Sequence, residues 1–129
     1  MIAIDTNILI RLLTRDNEQQ YQTSQKLFSS GKIFIPDTVI LETEWVLRHA
    51  YNQEPQEICT ALTAVFGLPN VHLANTQTVA QAIAWHRQGL DFADAFHLSL
   101  SQHLDAIKTF DEKFAKRGKN LSDCRVEKL

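Results

Sequence analysis

The sequence has little of what a secreted, membrane-spanning or zinc-stapled chain would need. It has two cysteines, Cys59 and Cys124, far apart and with no Cys-x-x-Cys spacing. This predicts reduced thiols and excludes a disulfide framework. Its five histidines do not close a zinc site either. His97 and His103 fall on different sides of a helix, and no cysteine pair completes a tetrahedral set. No uninterrupted apolar run exceeds four residues, too short for a transmembrane helix. The start, Met1-Ile2-Ala3-Ile4-Asp5, has no basic region and meets an acid at once, which does not suit a secretory signal. A cytoplasmic location is therefore expected. With only 4 Gly and 3 Pro, the chain has no linker and no low-complexity tract. Its 129 residues suit a single domain, 1–129, large enough to bury its own core.

The net charge of −2 argues against a general nucleic-acid binder, which is usually basic. The average conceals an asymmetry. The segment Lys108–Lys128 carries +3 and the remainder −5. Such a tail reads either as a solvated face or as a phosphate-contacting edge beside an acidic centre.

Apolar runs and turn residues set the order of elements. Met1–Ile4 predicts a strand ending at Asp5, and Ile8–Leu13 a helix capped by Asp5 or Thr6. A polar helix over 16–30 ends at Gly31, and Lys32–Ile35 gives a second strand stopped by Pro36. Asp37 or Thr38 caps a helix to about Tyr51, and Pro55 opens another toward Gly67. Val71–Ala74 is a third strand, and 76–88 a helix with Val79, Ala82, Ile83 and His86 on one stripe. A helix over 91–103 follows. Ala106–Thr109 is a fourth strand, then comes a helical turn to Lys116, with Val126 in an added edge strand. Strands alternating with helices predict an α/β fold, a three-layer α/β/α sandwich around a small parallel sheet.

In such sheets chemistry gathers at the carboxyl ends of the strands. Asp5 stands at the end of the first strand and Asp111 just after the fourth. Asp91 and Asp94 open one helix on one face. Asp91 is explained as its cap, while Asp94 lies among Phe92, Ala93, Ala95 and Phe96 and points toward protein or a cleft. Glu42 has Val39, Trp45, Val46 and His49 as helical neighbours. Glu44 instead has Arg48 one turn on, the pattern of an ordinary exposed ion pair. Converging carboxylates repel unless a cation joins them. An oxygen-only set suits Mg²⁺ or Mn²⁺. With no Gly-rich phosphate loop, the remaining chemistry is metal-assisted phosphodiester hydrolysis.

Ile4-Asp5-Thr6-Asn7, Glu42 in the helix after the second strand, Phe92-Ala93-Asp94-Ala95 and Thr109-Phe110-Asp111 together resemble the PIN-domain nucleases. In length and motif order the chain is similar to the VapC-type toxins of prokaryotic toxin–antitoxin pairs. The resemblance implies a metal-binding acidic tetrad of Asp5, Glu42, Asp94 and Asp111, with Asn7 and Thr109 orienting it. Asp91 either assists or replaces Asp94. It further implies Mg²⁺- or Mn²⁺-dependent endoribonuclease activity, an RNA substrate, a homodimer and a cognate antitoxin. Lys113, Lys116 and Arg117 are candidates for holding RNA phosphates. His97 is expected to be structural, and Trp45 and Trp85 to serve as core or dimer contacts.

Three other readings compete. A phosphoacceptor domain wants an acidic pair after the first strand, where only Asp5 stands. A phosphatase with a nucleophilic Asp wants a second acid two residues on, where Asn7 stands. A binding module that keeps the nuclease fold and acts through a partner fits the same residues, since a fold does not establish an activity.

Overall fold

The computed structural model describes Met1–Leu129. Residues 1–74 and 75–129 each form a compact unit. The first holds β1 (Ile2–Ala3), α1 (Thr6–Thr14), α2 (Glu18–Ser29), β2 (Ile33–Phe34), α3 (Asp37–His49), α4 (Pro55–Phe66) and β3 (Val71–His72). The second holds α5 (Thr76–Arg87), α6 (Phe92–Leu100), β4 (Ala106–Thr109), α7 (Glu112–Arg117) and β5 (Arg125–Lys128). No helix is long and apolar enough to cross a membrane.

In the first unit β1, β2 and β3 form a parallel sheet in that order, with Ile2 opposite Ile33 and Ile33 opposite Val71. The strands are short because each apolar run meets a breaker at once: Asp5 after the first, Pro36 after the second. Ile33, Ile35, Ile40, Leu9 and Leu47 are fully buried here. Each contributes about 1.5–3 kcal/mol through removal from water. The Asn70 amide donates to Phe28 O (2.5 Å) and Gly31 O (2.8 Å), tying the end of α2 to the approach to β3. Helix α3 begins at Asp37, one or two residues earlier than a cap at Asp37 or Thr38 requires. Pro36 occupies the cap position, with no side-chain hydrogen bond. Its fixed φ suits it to a helix entry, and its missing N–H costs nothing there.

In the second unit Val79, Ala82, Ile83 and His86 of α5 are all buried, as their spacing predicts. The Ser99 hydroxyl of α6 donates to Thr78 O at 2.8 Å. Gly89 turns the chain between these helices at φ +111°, a conformation that side-chain-bearing residues avoid. His86 Nδ1 and the Leu90 carbonyl lie 2.7 Å apart across that turn. Helix α6 stops at Leu100 rather than His103; Ser101 N turns back to Leu98 O, ending the regular ladder.

The fourth strand pairs in parallel with β5, Ile107 opposite Val126, as a separate two-stranded sheet. The expected edge strand at Val126 is therefore present, and it is β4's own partner. Gly118 is required where α7 meets it. A Cβ there would lie 2.8 Å from Val126 Cγ2 and 2.9 Å from Phe114 O. The architecture is α/β with small parallel sheets, as the alternation of elements implies.

Candidate active site

Asp5 sits just beyond β1 and caps α1, its Oδ1 accepting from Ile8 N at 3.2 Å. Asp5, Thr6 and Asn7 line one side of a cleft of about 440 Å³, with Thr38, Val39, Glu42 and Val46 of α3 on the other. The Thr6 hydroxyl donates a short hydrogen bond to Glu42 Oε1. The structure therefore brings Asp5, Asn7 and Glu42 to one cleft.

Two residues along α3, Glu44 has the opposite environment. It is 1 % exposed, and Arg48 grips it with two hydrogen bonds of 2.8 and 3.2 Å. The i,i+4 pairing is as expected, but the pair is not an ordinary exposed one. Buried among apolar neighbours, the carboxylate depends on Arg48 to offset its lost hydration.

The second unit carries the other acids. Asp91 caps α6, its Oδ2 accepting from Asp94 N at 3.2 Å. Asp111 caps α7, accepting from Phe114 N at 3.1 Å, and its own N–H donates to Thr109 Oγ1 at 2.9 Å. Thr109 thus fixes the backbone from which Asp111 projects. Asp94 is half-buried. Burial first, then the charges of Asp91 and Asp111, hold its carboxyl above the ordinary aspartate range, with His97 opposing. Asp94 therefore lies within reach of two other acids, Asp91 from its own helix entry and Asp111 from the entry of α7. His97, expected to be structural, is exposed and lies close enough to feel Asp94.

A PIN-domain family model matches residues 2–120. The chain belongs to the PIN-domain family. Among curated proteins none matches it. Among solved structures it is similar to the crystal structure of Mycobacterium tuberculosis VapC20, described as a sarcin–ricin loop cleaving toxin. The two share 18 % identity over 97 % of this chain and 99 % of that one, with a TM-score of 0.45.

Within neither unit of this PIN domain do three His, Cys, Asp or Glu side chains surround a point that could hold a metal ion. The basic residues divide. Lys113 and Lys116 are exposed, while Arg117 donates to Gly89 O at 3.1 Å and so steadies the turn before α6. Lys108 is engaged by Glu127 at 2.8 Å, which consumes part of the tail's positive charge. Trp85 is core, 5 % exposed, but Trp45 is 55 % exposed and is not. It stands one turn beyond Glu42 and packs against His49, with ring centroids 4.5 Å apart and planes tilted by 39°.

Two features were not legible beforehand. Thr6 reads as a cap in the sequence, and nothing local announces that its hydroxyl serves Glu42. Phe110, beside Asp111, is 81 % exposed, and nothing in its sequence neighbourhood announces that.

Proposed function

We propose that this PIN domain is a divalent-metal-dependent endoribonuclease, the toxin of a VapC-type pair, acting as a homodimer in the cytoplasm and checked by a cognate antitoxin. The observation that carries the reading is the cleft where Asp5, Asn7 and Glu42 meet, with the Thr6 hydroxyl donating to Glu42. Asp94, a half-buried carboxyl raised by burial and by two neighbouring acids, supports it, since a hard cation would relieve that repulsion. The donor set fits Mg²⁺ or Mn²⁺, being all carboxylate oxygen.

In this reading Asp5, Asp94 and Asp111 would hold the metal, and Glu42 would hold a second one or orient the attacking water. Bound metal supplies an activated water and charge stabilisation for phosphodiester hydrolysis. Thr6 holds Glu42 by its donated hydrogen bond. Thr109 and the α7 entry hold Asp111, and Asp91 keeps the start of α6 in place below Asp94. Asn7 supports the Asp5 side of the cleft, and Lys113 and Lys116 position RNA phosphates. No side chain forms a covalent intermediate.

The test is cleavage of a pool of small RNAs by the purified protein with Mg²⁺, with Mn²⁺ and with EDTA. Asp5→Asn runs alongside as a control for contaminating nuclease. Discrete products that need the metal and vanish in the variant are expected. Identical patterns from both proteins, or none with either ion, would overturn the reading and favour a partner-binding module.

A further inference from the structure

Asp5 and Asn7 border two clefts, and the mechanism above uses one. The second, of about 460 Å³, runs from Asp5 and Asn7 along α1 and the start of α2, past Arg11, Asn17, Gln20 and Thr23. Its amides are oriented by the protein itself. Asn17 Oδ1 accepts from Gln20 N at 3.1 Å, and Gln20 Oε1 accepts from Arg11 Nε at 2.6 Å. With both carbonyl oxygens engaged internally, each side chain has its NH₂ group left to offer a ligand. The walls therefore favour a ligand rich in acceptors.

Charge then separates two kinds of acceptor. Arg11 is the one cation lining the groove, and its Nη1 is 3.2 Å from Asp16 Oδ1 and 3.1 Å from the Tyr51 hydroxyl. Asp16 offsets its charge, and Asp5 adds a negative charge at the groove's mouth. A phosphate finds no net attraction there, whereas an uncharged carbonyl oxygen finds oriented donors. Among the parts of RNA, base edges supply such oxygens. Uracil and guanine carry carbonyls on their exposed edges, and adenine has none. Single-stranded RNA is read by hydrogen bonds to such edges.

We propose that this groove is a base-reading subsite in which the Asn17 and Gln20 amides donate to the carbonyl oxygens of a nucleobase beside the cleaved phosphodiester. The inference rests on the ribonuclease reading and adds what that reading lacks, a determinant of which sequence is cut.

The test is binding of short labelled oligouridylate and oligoadenylate at low salt in EDTA, so that cleavage plays no part. The double variant Asn17→Asp/Gln20→Glu keeps the α2 cap and the Arg11 contact while replacing both NH₂ groups by oxygens. Wild type is expected to prefer oligouridylate about tenfold, the size of a good base contact, and the variant to lose or invert that preference. Equal binding of the two RNAs by wild type, or binding of neither, would overturn it. So would an undiminished preference in the variant, which would leave the groove to a protein partner. A base preference in a protein that fails to cleave would support the subsite while striking the reaction assignment.

Discussion

Asp5 and Glu42, in the first unit, are each held by a hydrogen-bond donor from that unit, whereas Asp94, in the second, is held against two other acids. Ile8 N and the Thr6 hydroxyl fix the first pair before any ligand arrives. The Asp94 carboxylate instead meets the negative charges of Asp91 and Asp111, although its backbone N–H donates to Asp91 Oδ2. One region is preorganised by satisfied contacts. The other stores unfavourable electrostatics, which a cation would relieve. Strain of that kind persists where activity needs it and stability does not.

The sharpest way to break the comparison is to neutralise one acid in each region. Asp5→Asn and Asp94→Asn should both reduce metal-dependent cleavage on the order of a thousandfold. Their effects on stability should part. Asn caps a helix as well as Asp does, so Asp5→Asn should leave the Tm of the metal-free protein unchanged. Asp94→Asn should raise it at neutral pH. The Asp94 carboxyl is raised in the folded state, so its contribution to stability is complete below the ordinary aspartate pKa and is lost as pH rises through the raised value. The two Tm curves should therefore converge in acid. A Tm that falls at neutral pH would show that Asp94 is a satisfied structural acid.

Glu42 and Glu44 allow the same comparison two residues apart. Glu44→Gln should destabilise the fold by about 1–3 kcal/mol, since Arg48 loses its buried partner, and should leave cleavage near wild type while the protein stays folded. Glu42→Gln should do the reverse, cutting cleavage on the order of a hundredfold with a stability change within about 0.5 kcal/mol. Denaturant melts and initial rates on the two variants check both halves. Smaller still is Thr6→Val, which removes the donor to Glu42 and should lower kcat about tenfold with KM unchanged. A shift in KM alone would assign Thr6 to substrate binding.

The smallest effect lies away from the acids of the site. Hydrogen bonds from the Tyr51 and Thr14 hydroxyls, then the Arg11 charge, hold the Asp16 carboxyl below its ordinary range. A lowered folded-state pKa gives stability that is present above the ordinary aspartate value and fades as pH falls through the lowered one. Asp16→Asn should therefore lower Tm at neutral pH and approach wild type in strong acid. A Tm offset independent of pH would mean that Asp16 acts through packing alone.

Much of the site could be read from local sequence, and the exceptions share a cause. Asp5, Asp91 and Asp111 were legible because each ends a short run and opens a helix, a pattern confined to a few residues. The i,i+4 spacing of Glu44 and Arg48 gave their pairing correctly but their exposure wrongly. Spacing shows which side chains share a face of α3, not what covers that face. The pairing of β4 with Arg125–Lys128 was harder to see because β5 is charged at Arg125, Glu127 and Lys128 and has little apolar alternation. The contact between Gln20 and Arg11 joins two helices with no period linking them. Its effect, an amide turned donor-outward, exists only once α1 and α2 are packed.

The measurement closest to the central claim is calorimetric titration of Mn²⁺ into wild type, Asp5→Asn and Asp94→Asn. If the acidic tetrad holds the metal, wild type binds it and each variant alone loses at least about tenfold in affinity. Wild-type affinity in either variant would show that the acid replaced takes no part in holding the metal, and the tetrad would be wrong.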